Sequence, residues 1–327
     1  MKASITILIA TYNRESVLHK TLENLKNLDT TGLELSIVVV DNNSSDGTAE
    51  LIKSYQSSLP LTYLFQSKPG KNRALNLALD TIELGDIILF TDDDVMPTKQ
   101  WLRSIVDSTE KYQDKSIFGG PVHMLWPENS PQWAKDLERD IYPQHDYGNS
   151  PKVYEGGVTP IGPNFWLRKK IITEGQFRYD ESIGPTPDSK KRIMGSETSF
   201  LYMLINNGYS IQYVPGNSVG HYVTEDQITE KYIMKRASTH GRFLAHIGKA
   251  FDNLKLYKKN IVLWKLLKLA SLLKNRALFQ MAYLSSNKSI RLKKQINAKR
   301  WIAYNESYIS DHNNISQRST QTNLSIL

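Results

Sequence analysis

Four short polar clusters carry the groups from which chemistry could be built: Thr11-Tyr12-Asn13-Arg14, Asp41-Asn42-Asn43, Gly70–Asn76 and Asp92-Asp93-Asp94. The last is the most demanding. Three consecutive carboxylates follow the apolar run Ile87-Ile88-Leu89-Phe90, and neighbouring carboxylates repel unless a cation or a ring of donors neutralises them. Carboxylates with open coordination positions suit a hard divalent ion, Mg²⁺ or Mn²⁺, that also binds phosphate oxygens. Taken alone, the triplet would equally suit capping of the helix that carries Trp101, Leu102, Ile105 and Val106. The agreement of four clusters favours a ligand site.

The elements that position these clusters are legible. Residues 4–10, 34–40, 61–65 and 86–90 are apolar, β-branched runs of the kind buried on both faces of a sheet. Between them, residues 14–28, about 49–55 and the stretch after Pro69-Gly70 have helical spacing or composition. Four β–α repeats predict an α/β fold with a mostly parallel, doubly wound sheet flanked by helices. Ligands bind such sheets outside the carboxyl ends of the strands, and every one of the four clusters falls there. Neither GxxxxGK[ST] nor GxGxxG occurs, so the P-loop and dinucleotide fingerprints are excluded.

With 327 residues and 40% apolar residues, the chain can bury a substantial core. It has no cysteine, which excludes disulfides, thiolate-bound zinc and a cysteine nucleophile and fits a reducing cytosol. The N-terminus reads as a first core strand rather than a signal peptide. No uncharged apolar stretch reaches the about 18 residues of a membrane span. The net charge of +8 is uneven: Asn253 to Asn305 holds 13 Lys and Arg and no Asp or Glu. The remainder of the chain is therefore mildly acidic, and the basicity needs a local explanation.

The segments "ITILIATYNRESVLHKTLENL", "IVVVDNNSSDGTAELI", "KPGKNRALNLAL" and "ILFTDDDVMPTKQWL" stand in the order and spacing of the family 2 glycosyltransferases of GT-A fold, which the chain resembles over most of 3–245. The resemblance implies an inverting transfer from a nucleotide-diphosphate sugar, a UDP-sugar in the usual case, to an acceptor hydroxyl. It implies that Thr11, Tyr12, Asn13 and Arg14 surround the nucleotide and that Asp41 hydrogen-bonds the base. Lys71, Arg73 and Asn76 would face nucleotide or phosphate. Asp92-Asp93-Asp94 would be the DxD motif, with Asp92 toward ribose and metal and Asp94 toward metal and diphosphate; either Asp93 or Asp94 could be the inner ligand.

The chemistry independently asks for two things. A departing diphosphate needs its developing charge stabilised, and the attacking hydroxyl needs a carboxylate base. "GSETSFLYMLINNGYSIQYVP" (195–215) resembles the family's G-E-D-x-x-F segment, with Ser196 for the usual Glu and Glu197 at the base position. A first-turn Glu favoured by the helix dipole is the structural alternative. Phe200, Leu201, Leu204 and Ile205 behind it read as core. His221 in "GNSVGHYV" is a candidate third metal ligand by the same resemblance. Asn164, Phe165 and Trp166 are a candidate acceptor or sugar platform, since aromatic faces suit pyranose C–H surfaces; core packing is the other reading. Residues 122–160 read as a long acceptor-side loop and 184–192 as a lid.

Residues 261–284 are helical in composition, with Lys265, Lys268 and Arg276 on one face, as in a basic amphipathic helix on an anionic membrane. A helix packed on the rest of the protein is the competing reading. The expected organisation is a catalytic domain over 1–225 (nucleotide-sugar half 1–120, acceptor half 121–225), a C-terminal helical basic extension over 226–310, and a disordered tail over 311–327. The expected protein is a metal-dependent, inverting glycosyltransferase using Mn²⁺ or Mg²⁺ in polysaccharide or glycoconjugate synthesis. Its acceptor is a carbohydrate or lipid-linked glycan, with no nucleic acid. It is expected in the cytoplasm, peripheral on the inner membrane face through 253–305. The alternatives are a nucleotidyltransferase acting on sugar phosphates, or a non-catalytic nucleotide-sugar-binding or membrane-adaptor protein.

Overall fold

The computed structural model of the chain describes residues 2–137, 141–185, 193–251 and 261–318, without the side chains of 247–251, 261–265 and 308–318. The expected alternation is present: β1 (Ala3–Thr11), α1 (Glu15–Lys26), β2 (Leu33–Asp41), α2 (Thr48–Tyr55), β3 (Leu61–Phe65), α3 (Lys71–Thr81) and β4 (Ile87–Thr91). There follow β5 (Val95–Pro97), α4 (Trp101–Lys111), β6 (Ile117–Gly119), β7 (Val122–Leu125), α5 (Gln132–Lys135) and β8 (Lys152–Val153). Then come β9 (Phe165–Arg168), α6 (Lys170–Thr173), α7 (Ser196–Asn206), β10 (Ile211–Tyr213) and β11 (Val219–Tyr222). Three helices end the described chain: α8 (Glu230–Phe251), α9 (Ile261–Met281) and α10 (Lys288–Arg318).

The chain divides into two units. The first comprises Met1–Glu128, Tyr142–Lys190 and Gly195–Thr224; the second comprises Asn129–Ile141, Lys191–Met194 and Glu225–Leu327. In the first, eight strands form one sheet in the order β3-β2-β1-β4-β9-β6-β10-β8. The pairs β1–β2, β2–β3 and β1–β4 are parallel, as crossover helices require. Strand β9 is antiparallel to both β4 and β6 and joins the two halves of the sheet.

Alternation along each strand divides the core between two faces. Ile5, Ile7, Ile9, Ile37 and Val39 meet α1, α2 and α4 on one side; Leu8, Val38 and Val40 meet α3, α6 and α7 on the other. This two-sided burial is why the strands read as continuous apolar runs. Phe200, Leu201 and Leu204 are core as expected, but Ile205 is exposed, because it lies on the outer side of α7. Residues 122–160 do not form a single loop: β7 and β8 lie within them, and 129–141 belong to the second unit. A second, three-stranded sheet, β5-β11-β7, pairs β11 antiparallel with β5 and brings His221 opposite Val95.

The second unit is helical. Helix α10 packs along α8 and α9; Leu292, Ile296 and Ile302 of α10 and Ile233 and Ala237 of α8 are buried. The two helices pass so closely that a Cβ on Gly241 would fall 2.0 Å from the Arg300 carbonyl oxygen. The tail expected from residue 311 begins within α10; residues 319–327 lie outside the described residues.

Candidate active site

The strand-end clusters are brought together by hydrogen bonds between their own loops. Asn13 and Asn43 both adopt positive φ, 50° and 66°, a conformation asparagine tolerates better than most residues. Asn13 N donates to Ser44 Oγ (2.9 Å), and Ser45 N donates to Asn13 Oδ1 (2.7 Å), so the loops after β1 and β2 are joined. Asn42 Oδ1 accepts from Gly70 N (2.7 Å), which joins the second loop to the start of α3. Asp41 is buried, accepting from Ser44 N and from the Tyr63 hydroxyl. Tyr12 stays exposed on the same rim.

The aspartate triplet is held from three directions. Thr21 of α1 donates to the Asp93 carbonyl (2.8 Å) and accepts from Val95 N (3.0 Å). Tyr222 N donates to the Asp94 carbonyl (2.9 Å). Thr11 Oγ1 donates to Asp93 Oδ2 (2.7 Å). The protein's own cations neutralise the charge: Arg14 pairs with Asp93 at 3.3 Å and with Asp94, and Lys71 Nζ lies 2.6 Å from Asp92 Oδ1. Burial would depress the Lys71 and Arg14 pKa values, but the carboxylates around them outweigh it and push both up. Burial also pushes Asp93 above the usual carboxylate range despite Arg14. For Asp94, His221, Arg14 and Lys71 together outweigh burial and bring the carboxyl down.

This arrangement separates the three aspartates. Asp93 turns to Thr11 and Arg14. Asp94 and Asp92 turn to His221, whose Nε2 is 2.9 Å from Asp94 Oδ1 and 4.0 Å from Asp92 Oδ2. One ligand atom from each of Asp92, Asp94 and His221 lies within 4.8 Å of the others. Two carboxylates and an imidazole, converging on one point at a strand end, fit a divalent cation of the Mn²⁺ type, which accepts both oxygen and nitrogen donors.

Glu197 joins the same group. Gly195 ends the preceding segment at φ 93° and Glu197 follows in the first turn of α7. Its Oε1 is 2.6 Å from Lys71 Nζ, so one ammonium bridges Glu197 and Asp92. Gly162 leaves room for it: a Cβ there would fall 2.9 Å from Glu197 Oε1. Ser196 is buried against Gly184, where a Cβ would fall 2.4 Å from its Oγ; a small residue fits this crowded position.

Five expected site residues serve elsewhere. Asn164 is fully buried: its Nδ2 donates to the Pro121 and Asn217 carbonyls and its Oδ1 accepts from Trp101 Nε1. Phe165 and Trp166 have no exposure. Phe165 stacks on Phe90 at 4.7 Å, and Trp166 stacks on Phe118 at 5.4 Å while donating to Thr109 Oγ1. A ring with no accessible face cannot receive a sugar, so the platform reading is corrected to core packing. Asn76 does not face the strand-end site: its Nδ2 donates to the Tyr179 carbonyl (2.9 Å) and its Oδ1 accepts from Tyr179 N (2.9 Å). Arg73, part exposed, pairs with Glu181 at 3.3 Å rather than with the aspartates.

Sequence reasoning passed over Asn72 and Thr21. Asn72 donates to the Asp180 and Ile183 carbonyls, so with Asn76 it holds 179–183 onto α3. Both are buried polar residues on the apolar side of a helix, and that misfit was the available signal. Of the lid segment, Pro185 accepts from Lys71 N at 3.1 Å; residues 186–192 lie outside the described residues.

Comparison with known proteins matches residues 6–175 to the family described as "Glycosyl transferase family 2". The chain is 24% identical over 250 residues to the succinoglycan biosynthesis protein ExoM of Rhizobium meliloti (strain 1021), covering 74% of this chain and 75% of that protein. Against four other curated relatives it spans about half their length or less. Among solved structures, mannosyltransferase PcManGT from Pyrobaculum calidifontis in complex with GDP-Man and Mn²⁺ has a TM-score of 0.54 at 16% identity, over 97% of this chain and 88% of that one. Residues 1–349 of S. aureus TarS in complex with UDP-GlcNAc have a TM-score of 0.52 at 17% identity, over 94% and 92%. At these identities the likeness is one of fold.

Proposed function

The chain belongs to glycosyl transferase family 2, and on that premise we propose that it transfers a sugar, with inversion, from a nucleoside-diphosphate sugar to an acceptor hydroxyl. The observation that carries this is the Lys71 bridge. It brings the candidate base Glu197 to the same ammonium as Asp92, beside Asp94 and His221. In the proposed reaction the acceptor oxygen bonds to the anomeric carbon and its proton passes to Glu197. The bond from that carbon to the diphosphate oxygen breaks, and the diphosphate leaves with the electron pair.

Asp92, Asp94 and His221 would hold a divalent cation, Mn²⁺ or Mg²⁺. When bound, it would stabilise the negative charge on the departing diphosphate. Lys71 holds Glu197 in place and Arg14 bridges Asp93 and Asp94, offsetting their mutual repulsion. Thr11, Tyr12, Asn13 and Asp41 form the rim proposed for the nucleoside. A UDP- or GDP-linked donor is supported by the neighbours solved with UDP-GlcNAc and with GDP-Man and Mn²⁺. An acceptor in polysaccharide or glycoconjugate synthesis is supported by the ExoM relative. The proposed division of labour keeps catalysis within 1–225, leaving 253–305 to meet an anionic membrane near a lipid-linked acceptor.

The test is nucleoside-diphosphate release from a panel of UDP- and GDP-sugars with Mn²⁺, then NMR of the anomeric configuration of the product. No release from any donor, with the protein folded, would overturn the enzyme reading. A retained configuration would overturn inversion alone.

A further inference from the structure

Helix α9 buries Leu272 but leaves Leu266, Leu267, Leu269, Leu273 and Leu278 exposed, while polar side chains bond it to its neighbour. Toward α10, Lys268 Nζ reaches the Tyr304 hydroxyl at 3.3 Å. Ser271 Oγ accepts from Asn305 Nδ2 at 3.0 Å, and Arg276 pairs with Glu306 at 3.0 Å. Outward, Leu266, Ala270, Leu273, Ala277 and Met281 recur at i, i+4, i+7, i+11 and i+15, and all are exposed. Leu266, Leu273 and Met281 are each more than half exposed, at 58%, 57% and 59%. Lys268 and Arg276, expected on an outward basic face, therefore contribute to the seam with α10, and the outward face is the leucine row. Lys255, Lys258 and Lys259 lie outside the described residues.

A water-facing helix normally has the opposite orientation, with leucines inward and polar groups outward. A contiguous apolar row marks a surface that something covers. The charge around the row says what. Lys274 is exposed beside it, and the chain from Asn253 to Asn305 holds 13 cations and no acid. A second copy of this helix would bring like charges together, which costs binding. An anionic lipid surface offers both the hydrocarbon for the leucines and the counter-charge for the lysines. Among the described residues no helix is long and apolar enough to cross a bilayer, so the helix would lie in the interface.

We infer that the outward row of α9 seats the protein on an anionic membrane, with Leu266, Leu273 and Met281 entering the acyl boundary and Lys274 meeting the headgroups. This extends the membrane reading proposed above by naming the face, and it stands apart from the catalytic residues.

The test is flotation of the full chain, without substrate, on vesicles of phosphatidylcholine alone and of phosphatidylcholine with phosphatidylglycerol. Wild type is expected to float with the anionic vesicles. The variant Leu266→Gln/Leu273→Gln/Met281→Gln should lose about tenfold or more in partition, since each removes buried apolar area. Its melting temperature should hold, because these side chains are already solvent-exposed. Lys274→Gln should lose about fivefold on anionic vesicles only, the worth of one cation near such a surface. Unchanged flotation of the triple variant overturns the inference, as does equal binding of wild type to both vesicles. A wild-type dimer that the triple substitution dissolves, without vesicle binding, overturns it in favour of a second copy. Transfer to a soluble acceptor is measured in parallel: its absence in wild type would count against the catalytic reading and leave the flotation result standing.

Discussion

Lys71 Nζ lies 2.6 Å from Glu197 Oε1, across 126 residues of sequence. The same nitrogen lies 2.6 Å from Asp92 Oδ1, so the candidate base and the candidate metal group share one positioning cation. Lys71→Met keeps the stem and removes the charge. A base displaced by about 1 Å loses on the order of a hundredfold in rate, and kcat should fall by about that much. Lys71→Arg, which retains a cation, should lose less. Equal losses in steady-state kinetics would mean that the charge does not position Glu197.

Glu197→Gln keeps size and removes basicity. Transfer should fall by about 10²- to 10⁴-fold, the usual worth of a general base, while donor affinity by calorimetry changes little. Gly162→Ala approaches the same atom from the other side, with its Cβ 2.9 Å from Oε1. It should slow transfer with little loss of melting temperature. A Glu197→Gln enzyme as fast as wild type would remove the base assignment.

Chelation should stop transfer and Mn²⁺ should restore it. In His221→Ala and Asp94→Ala, the Mn²⁺ concentration that raises the melting temperature without donor should increase. The increase should exceed the roughly 10- to 100-fold that losing a residue behind the ligands costs. Asp93→Asn should move it less, because Asp93 faces Thr11 and Arg14. Equal effects for Asp93→Asn and Asp94→Ala would mean that the ion is not held by this set.

Asn76→Leu removes both hydrogen bonds to the Tyr179 backbone. Each buried group left unsatisfied costs about 1–3 kcal/mol, so urea unfolding should show a loss of this order. Donor affinity of the folded protein should be unchanged. The reverse pattern would restore Asn76 to the nucleotide.

His240 carries a pH dependence located in the helical unit. Burial, helped by Arg300 and Arg236, lowers its pKa from 6.5 to about 4. The unfolded state then binds the proton more readily, so this contribution is complete above pH 6.5 and is lost as pH falls toward 4. Thermal melts of wild type and His240→Gln over that window should converge as the pH falls. Parallel curves would show that His240 does not contribute.

The four β–α repeats and the Asp92–Asp94 triplet were legible because both are local: apolar runs between turn signals, then charge where a strand must end. Trp166 misled for a related reason. "FWLR" is itself an apolar run covered on both faces, and its aromatic content drew attention away from its strand character. Nothing near Asn76 states that residues 179–183 return to lie on α3, and nothing near Lys71 announces Glu197. Such contacts are decided by the fold, and from sequence only the misplaced polarity of Asn72 and Thr21 signals them. The face of α9 is similar. Its composition suggested amphipathicity, but only the packing of α10 determines which side remains outside.

The position of β9 has a consequence for biogenesis. Strand β4 ends at Thr91, and its antiparallel neighbour begins only at Phe165. As the chain emerges from the ribosome, the nucleotide half can pair β1 through β4 early. One long edge of β4 then remains unpaired until β9 emerges, and unpaired edges recruit other strands. This interval is when the nascent protein is most exposed to aggregation, and chaperone demand should peak before Phe165–Arg168 closes the sheet.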